Sequence, residues 1–209
     1  MRRAITASTA ILAILGIAAA LEHIIDADHY NPGFYEYPVI TRLHVTLGAL
    51  FLGLAMLQFV GRVRARWPKL HRVSGRIAVF AGIVSGATAL LITALFPFSG
   101  PLAMVVVGPF AFLFLLSLAR GLWLARARRF ADHREWMIRA MAVGTSIATM
   151  RLIFVPALLI LGESEELARW LSLTSFGIAF LIHSTVAEIW IRSTRQDPRT
   201  IRVGLPQRA

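Results

Sequence analysis

From Ile77 to Ala119 the chain runs for 43 residues without a charged side chain, interrupted only by Pro97-Phe98-Ser99-Gly100-Pro101. No water-soluble core of a chain this size absorbs so long an apolar run. A bilayer does, as two helices of about 20 residues, each crossing about 30 Å of hydrocarbon. The Pro- and Gly-rich break supplies the turn between them.

Four other segments follow the same rule: Ala4 to Leu21, Leu43 to Gly61 between Arg42 and Arg62, Ala140 to Leu161 interrupted by Arg151, and Trp170 to Ala187 interrupted by His183. The expectation is an all-α polytopic transmembrane helix bundle with six transmembrane helices. It forms one domain over residues 1–192, with core helices within 38–161 and a basic tail over 193–209. A hydrophobic content of 57% and a mean hydropathy of +0.67 exclude a soluble globular enzyme. Arg2-Arg3, the short apolar run and Ala18-Ala19-Ala20 also fit a cleaved signal peptide, which would leave five helices in the same orientation.

A net charge of +11 raises nucleic acid as a partner, and the positions of the charges answer it. Of the 22 Lys and Arg residues, eighteen fall in the terminal segments and loops of one side, and only Arg42 and Arg169 on the other. The second side holds seven of the eleven acids, Glu22, Asp26, Asp28, Glu36, Glu163, Glu165 and Glu166. The positive-inside bias then puts both termini in the cytoplasm of a multi-pass cell inner-membrane protein. The charge is accounted for by topology without nucleic acid. The partner expected instead is the bilayer itself, with Arg64, Arg66, Arg72, Arg129 and Arg134 contacting anionic headgroups at about 1 kcal/mol per residue.

Arg151 lies ten residues back from Leu161, about 15 Å below the outer surface, too deep to reach the headgroups easily. Two readings follow: a partner for a ligand oxyanion, or a hydrogen-bonding link to carbonyls and hydroxyls of neighbouring helices. His44 and Gln58 stand 14 residues apart, which puts them within about 40° on one helix face, and Gly48 shares that face. His183 lies at nearly the depth of Arg151. His44 with His183 would supply two axial imidazoles to a haem b, and His71 with His133 a weaker second pair. The alternative for the first pair is inter-helix hydrogen bonding, and for the second contact with a headgroup or phosphate. His23, Asp26 and His29 in the first outer loop form a weak divalent-metal set. The chain has no cysteine, and neither a phosphate-cradling glycine loop nor a helical zinc motif is present.

A modest internal repeat is visible. His71-Arg72 with Arg76 and His133-Arg134 with Arg139 are offset by 62 residues, one helical hairpin plus a loop. Both copies are read as lying in basic loops.

The run His133-Arg134-Glu135-Trp136-Met137-Ile138-Arg139, with Arg151-Leu152 beyond it, resembles the bacterial predicted-membrane-protein family known as domain of unknown function 2306. So do Trp67-Pro68-x-x-His71-Arg72-x-x-Gly75-Arg76, His44 and Leu57-Gln58-Phe59. The resemblance covers Arg42 to Arg151 and the last span, and departs from the family where Ile77-Ala78 replaces an aromatic after Gly-Arg. It implies a membrane helix bundle of unsettled activity. His44, Gln58, His71, Arg72, His133, Arg134, Trp136, Arg139 and Arg151 are its motif positions. The leading functional expectation is a bundle that binds haem b or a quinone-like redox ligand, with Arg151 on a propionate or carbonyl. The rivals are an anion or small-molecule transporter and a non-catalytic, lipid-interacting assembly protein.

Overall fold

The computed structural model describes residues 2–25, 37–96, 99–162 and 164–195, without the side chains of 2–6 and 19–25. Among the described residues every regular element is an α-helix: α1 (Arg2–Ile25), α2 (Pro38–Phe59), α3 (Gly61–Arg66), α4 (Pro68–Leu95), α5 (Leu102–Arg126), α6 (Phe130–Leu161) and α7 (Glu165–Arg195). Five of them, α2, α4, α5, α6 and α7, have the length and apolar composition to cross a membrane. In α1 the described apolar stretch, Ala7–Ala18, is shorter than a span.

Proline opens α2 and α4 at their first turns, where a missing N–H costs nothing. Pro109 and Pro156 sit inside α5 and α6. Neighbouring helices make such positions tolerable in lipid. The surface is that of a lipid-bathed protein: Phe80, Phe112 and Leu181 are each more than 60% exposed.

Consecutive long helices pack antiparallel, α2 on α4, α4 on α5, α5 on α6 and α6 on α7, while α1 lies against α2 and α6. Helix α4 presents a face of small residues, Ser74, Ala78, Ala81, Gly82, Ser85 and Gly86, all buried. Small side chains let backbones approach closely, which is how helices associate where hydrophobicity offers no gradient. The centre of the bundle is Phe51 of α2, 3% exposed. Its ring is wedged between glycines of two other helices. A Cβ on Gly82 of α4 would lie 2.8 Å from the ring, and so would one on Gly144 of α6. Phe114 of α5 closes the site edge-on, with ring centroids 5.1 Å apart.

Two boundaries differ from the sequence expectation. The His71 and His133 segments, read as loops, are helical, because α4 begins at Pro68 and α6 at Phe130. Both helices exceed the hydrocarbon thickness: at 1.5 Å per residue α4 is about 42 Å long and α6 about 48 Å. Backbone hydrogen bonding does not stop at the membrane surface, and Arg favours helix. Between α2 and α4 the chain forms the short helix α3, anchored by buried Val63 with Arg62, Arg64 and Arg66 exposed.

Candidate functional site

The antiparallel order gathers like charges at one end. The rings of Tyr37 and Phe96 meet at a tilt, centroids 4.2 Å apart, at the opposite end, while Gln58 with Ser74 and His133 with Gly121 pair the ends of α2, α4, α5 and α6 at the basic one. Thirteen Lys and Arg residues of the described chain, from Arg62 to Arg195, occupy the basic end and its adjoining turns; Arg42 and Arg169 stand at the other.

The stripe read on α2 does face inward, toward α4. His44 places Nδ1 2.9 Å from the Ser85 carbonyl oxygen, and the Ser85 hydroxyl donates back to the His44 carbonyl at 3.0 Å. A carbonyl only accepts, so Nδ1 of His44 carries the proton. Gly48 makes the approach feasible, since a Cβ there would meet Ser85 Oγ at 3.0 Å. Gln58 donates from Nε2 to Ser74 Oγ at 2.8 Å, and Ser74 in turn donates to the Leu70 carbonyl.

His183 belongs to a different seam. The Thr145 hydroxyl donates to its own helix at Met141, 2.9 Å away, and therefore accepts from His183 Nδ1–H at 3.2 Å. The Thr149 hydroxyl then donates to Nε2 at 2.8 Å. Both ring nitrogens are thus occupied by hydroxyls of α6, and His183 clamps α7 to α6. The structure does not present His44 and His183 as a matched pair of open imidazoles: one is tied to α4 and the other to α6. Arg151 is half-buried on α6 and is not without an interaction partner. The side chain of His23, and Asp26 and His29 altogether, lie outside the described residues. Among the described residues no group of three or more metal-binding side chains comes together.

The acids at the basic end were missed by sequence reading, and they explain much of the motif around Trp136. Arg139 grips Glu188 through two bonds, Nε to Oε1 at 2.5 Å and Nη2 to Oε2 at 3.1 Å, while its guanidinium lies 4.8 Å from the Trp136 ring centroid. Glu135, 8% exposed, is held in a bidentate pair by Arg195. Arg129 pairs with Asp132 one turn away at 2.6 Å. The available signal was scarcity: only Asp132, Glu135, Glu188 and Asp197 stand among the eighteen cations of that side.

Among the described residues, His71 and His133 keep uncommitted nitrogens. His133 donates from Nδ1 to the Gly121 carbonyl at 2.7 Å, which fixes the ring and leaves Nε2 as its acceptor. His71 Nδ1 is buried without a hydrogen-bond partner. Such an orphan costs about 1–3 kcal/mol. Arg64, His133 and Arg72 all lie within electrostatic reach of the His71 ring, so the two copies of the His-Arg repeat face the same end of the bundle. Beside them, at the α3–α4 corner, an open groove of about 610 Å³ is lined by Arg66, Trp67, Pro68, Lys69 and Leu70.

No curated protein and no solved structure matches the chain. The family described as predicted membrane protein (DUF2306) has a model that matches residues 41–191, from the first turn of α2 to the last turns of α7, and the chain belongs to that family.

Proposed function

We propose that this is a multi-pass protein of the cell inner membrane, with α1 as a sixth span and both termini in the cytoplasm. Its role is to hold anionic phospholipid at its basic end as a non-catalytic, lipid-interacting component. The observation that carries this reading is the division of charge: thirteen described cations at one end of the bundle against two at the other. Such a collar matches the negative potential of the cytoplasmic leaflet. The groove at the α3–α4 corner has a largely apolar lining, suited to the acyl boundary through Trp67, Pro68 and Leu70, and Arg66 and Lys69, which also border it, supply charge for phosphate.

The test is association of the purified full chain with fluorescent phosphatidylglycerol in mixed micelles. Replacing Arg66, Lys69 and Arg129 together by glutamine is expected to weaken it severalfold, and to flatten its dependence on salt, since exposed charges are screened over about 10 Å at 0.1 M. Unchanged association in that variant overturns the reading.

A further inference from the structure

We propose that His71 and His133, flanked by Arg64 and Arg72, form a discrete binding site for a phosphate group. The proposal rests on the reading above only for the leaflet in which the site lies. Its residues are distinct from the groove at the α3–α4 corner.

Four observations converge. First, His71 Nδ1 is buried with no partner, and a buried nitrogen in that state calls for a ligand atom or an ordered water. Second, basic side chains of three different elements lie within electrostatic reach of one another around His71, Arg64 from α3, Arg72 beside His71 on α4, and His133 from α6, and His71, Arg72 and His133 belong to the repeated His-Arg motif. Third, the surroundings exclude a cation. Every acid described at this end is already taken, Asp132 by Arg129, Glu135 by Arg195 and Glu188 by Arg139, so no carboxylate is left to offset the positive groups. Fourth, the His133 ring is held through Nδ1 on Gly121, so its Nε2 is presented in a fixed position.

A phosphate matches this donor set better than a carboxylate does. The guanidinium forks of Arg64 and Arg72 suit its several oxygens. Nε2 of His133, left as the acceptor nitrogen by the bond of Nδ1 to Gly121, accepts from a P–OH of the phosphate. Remaining oxygens and hydroxyl of the same group lie within the chemistry that satisfies His71. The phosphate comes either from a lipid headgroup or from a soluble phosphate, and the two are separated by experiment.

The full chain in neutral detergent is titrated with inorganic phosphate at constant ionic strength, held by sodium chloride, and thermal unfolding is followed by tryptophan fluorescence. A second arm replaces inorganic phosphate with phosphatidic acid in mixed micelles. The expected result is a saturable rise in unfolding temperature. His71→Gln, His133→Gln and the double variant Arg64→Gln/Arg72→Gln should each raise the half-saturating concentration about tenfold or more, the scale of one charge-assisted hydrogen bond. The control Arg62→Gln/Arg126→Gln, which removes two exposed charges from the same end, should leave it within about twofold. A response to inorganic phosphate assigns a soluble ligand, and a response to the lipid alone, with the same residue dependence, assigns a headgroup. No saturable response in either arm, or equal weakening by the control pair, overturns the site. Should a histidine variant not fold, the double arginine variant decides, because both of its side chains are exposed. If neither arm shows a response that depends on His71 and His133 while lipid association keeps its dependence on Arg66, Lys69 and Arg129, the discrete site fails and the lipid-holding reading survives.

Discussion

Arg139 and Glu188 show what a single residue pair contributes here. The two side chains are 19% and 40% exposed, so their bond is only partly sheltered from water, and its net worth must be discounted accordingly. Removing one partner still leaves the other beside the bilayer with its charge uncompensated. Glu188→Gln and Arg139→Gln are therefore each expected to destabilise the protein, and the double variant by less than the sum of the two, with a coupling of about 1 kcal/mol. Denaturant unfolding of the four proteins of the cycle in detergent measures it, and additive effects would show that the pair is inert. Such partners were illegible from the sequence, because positions 139 and 188 are 49 residues apart and no periodicity connects them. The inward stripe of His44 and Gln58 was legible, because it depends only on helical geometry. What neither spacing nor composition announced was that Ser85, Ser74, Thr145 and Thr149 would occupy the imidazoles and the amide.

Glycine decides how closely the helices come together. At Gly82 a methyl group would meet Leu118 at 2.7 Å and the Phe51 ring at 2.8 Å, whereas at Gly53, on the outer face of α2, the nearest atom is Ile17 Cδ1 at 3.8 Å. Alanine gains about 1 kcal/mol of helix propensity at either position, against an overpacking cost of about 1–3 kcal/mol only at the first. Gly53→Ala is expected to raise the melting temperature and Gly82→Ala to lower it, as thermal unfolding of the solubilised protein would report. The wedge itself was not readable, since one phenylalanine and two glycines in three segments carry no mutual signal. Five of the six expected spans were readable, except at the ends of α4 and α6, where charges mark the membrane boundary and not the end of the helix.

For the whole molecule, the sharpest expectation concerns orientation. Reporter fusions after Ser193 and within the Arg126 to Arg129 turn should report cytoplasm, and fusions near Glu165 the periplasm. With α1 as a span the chain crosses the membrane six times, and a periplasmic C-terminus would break that arithmetic. The same fusions test the premise of the lipid-holding reading, because a basic collar in the periplasm would meet a different surface.

The sequence by itself determined that the chain lives in a bilayer, where its helices run, and which end of the bundle carries the charge. Those properties follow from local quantities: apolar length against bilayer thickness, helical period, and the loops in which arginine falls. Tertiary structure alone decided which imidazoles are occupied and which are left open. Thr145 and Thr149 take both nitrogens of His183, while His71 keeps an orphaned Nδ1 near His133 and two arginines. Hydrogen-bond satisfaction depends on the register between helices distant in sequence, and that register is a matter of close packing such as that of Phe51 between Gly82 and Gly144.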